Sequence, residues 1–208
     1  MSVTDLIINV FENFGRIVCH QMSERSLWIG GHYLPICARC TGAYLGFYIG
    51  YLTLPFRNKK SIGPPNIYIT LSMVTPIVID GFGQFFGLWI STNDLRLITG
   101  LFFGASISPF LVYLLSILPS TRRLKLIRGI IPTQVDLGKI KDSWIGYRAF
   151  AIGLSSIAIL FFGIKDIVGS TNNILYWVIS FLTTVSIIIH ILILPVFVIY
   201  SIVMMNKI

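Results

Sequence analysis

Long apolar runs separated by short polar stretches dominate the chain. Roughly 20 mostly apolar residues in a helix cross the ~30 Å hydrocarbon core of a bilayer. Five such runs lie at residues 40–56, 67–90, 95–118, 144–164 and 175–204. The last run is longer than a bilayer requires, so we expect it to tilt, kink at Pro195 or emerge. The pattern predicts an all-α, polytopic transmembrane helical bundle that forms a single integral membrane domain over residues 1–208.

Residues 3–18 follow a different pattern. Their apolar side chains recur at helical spacing, but the segment is short and carries Asp5 and Glu12. We therefore expect a helix that lies along the membrane interface instead of crossing it. The segment also lacks the basic start and the small-residue cleavage site of a signal peptide.

Composition supports the membrane assignment. The chain is 55% hydrophobic and only 12% charged, with a mean hydropathy of +0.82, whereas soluble domains average about 25% charged residues. The net charge of +8 would suggest nucleic acid in a soluble protein. Here the basic residues flank the apolar runs, which is typical of topology signals, so we expect a lipid bilayer and no nucleic acid as partner.

The basic residues also predict orientation, because positively charged loops are retained in the cytoplasm. If the five runs alternate in direction, eleven of the 16 Lys and Arg residues fall on one side and five on the other. We therefore expect a protein of the cytoplasmic membrane with its N-terminus outside and its C-terminus inside. Residues 19–42 would then face the extracytoplasmic side.

Small residues recur every four positions on the first and third runs. This spacing lets the backbones of two membrane helices approach closely, so we expect these two runs to pack together. The residues are Gly42, Gly46 and Gly50 on the first run and Gly100, Gly104 and Ser108 on the third.

All three cysteines and two of the three histidines lie within residues 19–42. Cys37 and Cys40 form a C-x-x-C at the predicted start of a helix, where backbone N–H groups favour thiolate. Together with Cys19 and a histidine they would suit tetrahedral zinc. His32 is the preferred fourth ligand and His20 the alternative, because Cys19 and His20 are adjacent in the chain and would not easily both bind one ion.

The same cysteines also allow a redox interpretation. In a thiol-disulfide oxidoreductase coupled to a membrane quinone, Cys37 and Cys40 would be the active pair and Cys19 the attacking thiol. Arg39 or Arg96 would stabilise the reduced quinone. Known enzymes of this kind usually carry a second cysteine pair, which this chain lacks. Buried, unreactive cysteines or one static disulfide are the plainer alternatives.

Further polar residues are predicted to reach the same side of the membrane and to form a polar pocket that adjoins the metal site. The pocket residues are Gln21, Glu24, Arg25, Ser26, Arg39, Thr41, Asp80, Gln84, Asn93 and Arg96. An ionised carboxylate near hydrocarbon is costly unless paired, so Asp80 is a functional candidate with Arg39 or Arg96 as its partner. Pro76 lies one turn before it and can bend the helix. A transporter or channel for a small ion or small molecule would use Asp80; the structural alternative is an ion pair that locks two helices together. Lone His190 is expected to hydrogen-bond a neighbouring helix.

Four short strings carry a family resemblance: "CHQMSERS", "PICARCTG", "IDGFGQ" and "NDLRLITG". Over residues 15–110 the chain resembles an uncharacterised family of prokaryotic membrane proteins, domain of unknown function 2085. The resemblance implies a small polytopic membrane protein and brings no established activity. Cys37, Cys40, Asp80 and Arg96 are the catalytic candidates if the protein is an enzyme. The resemblance directs attention to Cys19, His20, Gln21, Glu24, Arg25, Ser26, Cys37, Arg39, Cys40, Thr41, Gly42, Asp80, Gly81, Gln84, Asn93, Arg96 and Gly100.

Overall fold

The computed structural model describes residues 3–56, 67–117 and 147–205. The polar segment between the third and fourth runs, at residues 119–143, and the start of the fourth run lie outside these residues. The helices are α1 (Val3–Val18), α2 (Ala38–Thr53), α3 (Ile67–Phe85), α4 (Asn93–Ile117), α5 (Tyr147–Ile167), α6 (Asn173–Ile187) and α7 (Leu194–Met205). Short 3-10 turns occupy Ser23–Arg25 and Leu54–Phe56, and a π-helix at Ile188–Ile193 joins α6 to α7. The predicted all-α architecture is confirmed, apart from one small sheet.

Within residues 3–56, 67–117 and 147–205, four helices are long and apolar enough to cross a membrane. They are α3, α4, α5 and the continuous run of α6, the π-helix and α7. The first predicted span is also helical, but α2 has only 16 residues and is shorter than the roughly 20 that a bilayer requires. The structure therefore has four helices of spanning length where the sequence predicts about five spans. The single-domain assignment and the orientation of the termini stay predictions.

The predicted packing of the first and third runs is confirmed. A Cβ atom built on Gly42 would collide with the carbonyl oxygen of Leu97, and one built on Gly46 would lie 2.5 Å from that of Leu101. From Gly42 to Gly46 the contact on α4 moves from Leu97 to Leu101, so both helices run in the same direction. Only residues without a side chain allow backbones to approach this closely.

The remaining helices alternate in direction around this pair. The end of α3 reaches the start of α2 through an ion pair between Arg39 and Asp80, and the end of α5 reaches the start of α4 through Lys165 and Asp94. The start of α6 lies beside Gly30. The starts of α2, α4 and α6 therefore meet the ends of α3 and α5 at one end of the bundle.

A two-stranded antiparallel hairpin covers this end, which we call the hairpin end. Strand β1 (Ser26–Ile29) pairs with β2 (His32–Cys37), with Ile29 opposite His32 and Ser26 opposite Cys37. Gly30 and Gly31 make the turn with φ of 61° and 79°, a region that glycine adopts without steric cost. The sequence analysis predicted no strands, so the hairpin is a correction to it.

The N-terminal helix packs on the hairpin. Gly15 brings α1 against β2, since a Cβ at this position would lie 2.5 Å from the carbonyl oxygen of Pro35. The Phe11 ring lies 6.0 Å from that of Trp177 on α6. On the outer face, Val3, Leu6 and Ile17 are exposed. The helix itself is confirmed, and its position at the membrane interface stays a prediction.

Candidate metal centre

The three cysteines meet at the hairpin end. Their Sγ atoms all lie within 4.8 Å of one another. Cys19 follows the last turn of α1, Cys37 ends β2, and Cys40 lies in the first turn of α2. Three chain segments therefore contribute one sulfur each, and the thiols are free and partly exposed.

Gln21 is the residue that places Cys19 beside the other two. The chain leaves α1 with a hydrogen bond from the Cys19 amide to the Gly15 carbonyl, 2.9 Å, and then turns back at Gln21, which has φ of 54°. The Gln21 side-chain amide donates to the carbonyls of Glu12 (2.7 Å) and Pro35 (2.8 Å). These bonds tie α1 to β2 and hold the intervening loop against the end of the hairpin.

The surroundings favour a thiolate at Cys19. Side-chain hydrogen bonds with Cys37 and Cys40 lower the pKa of the Cys19 thiol well below its ordinary value. The Cys37 backbone N–H also donates to the Cys19 Sγ at 3.2 Å. The same interaction with Cys19 raises the pKa of the Cys37 thiol. The Cys19 thiol therefore loses its proton more readily than the Cys37 thiol, as expected when like acids lie close together.

Neither predicted histidine joins the sulfurs. Among the described residues, the group of metal-capable side chains within 4.8 Å consists of the three cysteines. His20 is exposed, and the His32 ring packs against Tyr176 with 5.2 Å between centroids. The reason is geometric, because His32 begins β2 and Cys37 ends it, about 17 Å apart at the rise of a strand. The predicted four-ligand set of three cysteines and one histidine is therefore not assembled.

Asp80 pairs with Arg39 and not with Arg96. The carboxylate is 2% exposed and accepts a hydrogen bond from the Arg39 guanidinium. Gln84 lies one turn further along α3, with its side-chain oxygen 3.4 Å from the same Arg39 nitrogen. Arg39 also separates Cys37 from Cys40 in the chain, so this ion pair adjoins the sulfur cluster.

Arg96 belongs to a second group at the same end. Its guanidinium donates to the Asn93 side-chain oxygen at 2.9 Å, and the Asn93 amide lies 3.3 Å from the Glu24 carbonyl and 3.4 Å from that of Ser26. The polar residues therefore form two neighbouring sets at the hairpin end.

The last predicted pocket residue, Thr41, is fully buried and donates a hydrogen bond to the Ile36 carbonyl at 3.4 Å. It supports the junction of β2 with α2 and does not face an open site.

Comparison with known proteins identifies the family. The family model described as "Predicted membrane protein (DUF2085)" matches residues 19–112. An uncharacterised protein of Methanothermobacter thermautotrophicus is 41% identical over 86 residues, which cover 41% of this chain and 77% of that protein. The chain belongs to the DUF2085 family. It is thus a membrane protein in a family for which the comparisons give no activity.

A second relative in the family is an uncharacterised protein of Methanocaldococcus jannaschii. It is 39% identical over 92 residues, covering 44% of this chain. The match spans 59% of that protein's length. No solved structure matches the chain.

The part shared with the DUF2085 family contains the whole site. Residues 19–112 include the three cysteines, the hairpin, the Arg39–Asp80 pair and the contact between α2 and α4. Helices α5 to α7 follow the matched region. The family resemblance read from the four strings is therefore confirmed.

Sequence reasoning missed the hairpin and the bridging role of Gln21. A signal for the hairpin is present in "SLWIGGHYLPIC", where two short apolar segments rich in β-formers flank a Gly-Gly pair. Gln21 has no comparable signal, because its hydrogen bonds go to backbone carbonyls of two separate elements.

Proposed function

We propose that this membrane protein binds a thiophilic metal ion, most simply zinc, through Cys19, Cys37 and Cys40. The observation that carries the proposal is the convergence of three sulfur atoms within 4.8 Å, two from the C-x-x-C at the junction of β2 with α2 and one from the end of α1. Zinc holds thiolates at about 2.3 Å, which places tetrahedral sulfurs roughly 3.8 Å apart. Sulfurs that all lie within 4.8 Å of one another are therefore close to the spacing of a zinc site.

Charge also supports the proposal. Three thiolates around a divalent ion leave one net negative charge, which lies at the N-terminus of α2, where the helix dipole favours negative charge. The N–H of Cys37 already donates to the Cys19 sulfur, and such bonds orient metal-bound thiolates. Neither histidine supplies a fourth ligand, so water or another small ligand completes the coordination.

The main role of such a site would be structural. A metal ion would join the end of α1, the end of β2 and the start of α2, and so hold the hairpin on the bundle. Metal binding contributes directly to folding free energy when the ligands are held apart in the unfolded chain.

The test is metal quantification on protein purified in detergent. We expect about one zinc ion per chain in the wild type and a large loss in Cys37→Ser, because zinc sites of this kind depend on each thiolate. His20→Ala and His32→Ala are the matched controls and should retain the metal. Equal metal in the wild type and in Cys37→Ser would remove the proposal, and loss in His32→Ala would restore the histidine ligand.

A further inference from the structure

A cavity of about 420 Å³ extends along the bundle from the sulfur cluster. One stripe of α2 lines it, with Arg39 and Cys40 at the hairpin end and Ala43, Tyr44 and Phe47 further along. Residues of α3, α4 and the π-helix, His190 among them, form the other walls. Its volume falls within the roughly 300–1,000 Å³ typical of small-molecule sites. The lining is mainly apolar and aromatic, with a thiol and a cation at one end.

His190 is held as a flat wall of this cavity. Its Nδ1 lies 2.7 Å from the Ser186 carbonyl oxygen, which only accepts, so Nδ1 carries the proton. Its Nε2 then accepts from the Tyr51 hydroxyl at 2.7 Å. The imidazole stacks on Phe47, with 4.0 Å between centroids and 17° between planes. The predicted hydrogen bonding of His190 to a neighbouring helix is thus present.

The backbone at this point is unusual as well. His190 belongs to the π-helix at Ile188–Ile193, and π-helical turns are rare and occur frequently at functional sites. The metal proposal uses neither this turn nor the cavity. The π-helix and the cavity both lie next to the side of α2 that carries Cys40.

We propose that this cavity binds the ring of a membrane quinone, which takes two electrons from two of the three thiols. The lining, which is mainly aromatic and apolar, suits a flat, lipid-soluble ligand. A phospholipid headgroup fits less well, because Asp80 already neutralises Arg39 and would repel a phosphate. A quinone ring is uncharged, so its binding does not require an unpaired cation in the cavity.

The reaction balances without another reactant. Cys40 and either Cys19 or Cys37, all within 4.8 Å at sulfur, lose two protons and two electrons as one S–S bond forms. The quinone gains both electrons and both protons and leaves as the quinol. Zinc binding and disulfide formation use the same three sulfurs and exclude one another in one molecule, so this inference concerns chains that hold no metal and does not rest on the metal proposal.

The test uses reduced, chelator-treated protein in detergent under anaerobic conditions, with decylubiquinone as the probe. We expect each chain to lose two titratable thiols as quinol forms. Ile107→Trp fills the cavity from α4 and should slow the reaction about tenfold or more, since small displacements of reacting groups have effects of that size. Ile159 is on α5 and 74% exposed, so Ile159→Trp should react like the wild type.

A water-soluble oxidant, diamide, serves to check the thiols themselves and should oxidise all three proteins at similar rates. The proposal is overturned if decylubiquinone leaves the wild-type thiols reduced while diamide oxidises them, as expected for a cavity filled by a lipid chain. Equal rates for Ile107→Trp and Ile159→Trp would overturn it as well. If Ile107→Trp does not fold, Ile77→Trp narrows the same cavity from α3.

Discussion

Replacing Gly46 by alanine tests the close contact between α2 and α4. The added Cβ would lie 2.5 Å from the Leu101 carbonyl oxygen and 3.0 Å from the Ala105 amide nitrogen, against 3.4–4 Å for ordinary contact. Both neighbours are backbone atoms of α4, so no side chain can rotate away. The helices must separate by about 1 Å, and overpacking of this kind typically costs about 1–3 kcal/mol.

A matched control isolates the clash from the general effect of the substitution. Gly163 lies on α5, and a Cβ there meets no atom within 4 Å. Alanine has a higher helix propensity than glycine by about 1 kcal/mol, so Gly163→Ala should leave stability unchanged or raise it. Gly46→Ala gains the same propensity but also suffers the overpacking, so its free energy of unfolding should fall by up to about 2 kcal/mol.

The assay is reversible unfolding in mixed micelles, with increasing sodium dodecyl sulfate, followed by tryptophan fluorescence. The midpoint of Gly46→Ala should fall below that of the wild type, whereas the midpoint of Gly163→Ala should stay the same or rise. If Gly46→Ala proves as stable as Gly163→Ala, α2 and α4 do not approach as described. Displaced thiols should also weaken metal retention in Gly46→Ala, which the metal measurement above can detect.

Two further pairs of variants test the hairpin end by the same unfolding assay. Asp80→Asn should lower the free energy of unfolding by about 3 kcal/mol, because it leaves the charge of Arg39 without its buried partner. Asp94→Asn removes an exposed ion pair and should not move the midpoint. Equal effects of the two substitutions would contradict the burial of Asp80. Gly30→Ala and Gly31→Ala both strain a positive φ, but a Cβ on Gly30 would also lie 2.9 Å from Asn173 while one on Gly31 meets open space. Gly30→Ala should therefore be the more destabilised, and the reverse order would show that the turn does not dock on α6.

The helix contacts were predictable because they depend on local periodicity. A repeat of four residues fixes one face of a helix, so Gly42, Gly46 and Gly50 predict a close neighbour before its identity is known. The length of α2 was less predictable. Apolar character continues to Phe56, but the regular helix ends at Thr53 and a 3-10 turn containing Pro55 follows, as proline disfavours helix continuation.

The site itself was predictable only in part. A count of metal-capable residues in one segment identifies the three cysteines, but closeness in sequence does not distinguish them from His32. An extended strand carries His32 away from Cys37, and only recognition of the hairpin would have shown this. The choice between Arg39 and Arg96 as the partner of Asp80 depends on the rotation of α2 relative to α3, which local patterns do not specify.

The irregular turn in the last span has a physical source near the predicted kink at Pro195. The π-helix ends at Ile193, and α7 starts with Leu194 and Pro195. Proline lacks the N–H for a regular helical hydrogen bond, and its ring crowds the preceding turn. The sequence indicates that the helix is disturbed there, but not that the disturbance is a π-helix that carries His190 to Phe47.

Cys37 is the last residue of β2, and α2 begins at the next position, Ala38. No linker residue separates β2 from α2, so a force on the hairpin acts directly on α2. A ligand bound to the sulfur of Cys37 would therefore restrain the hairpin relative to α2, and a force that displaces the hairpin would in return weaken the binding of that ligand.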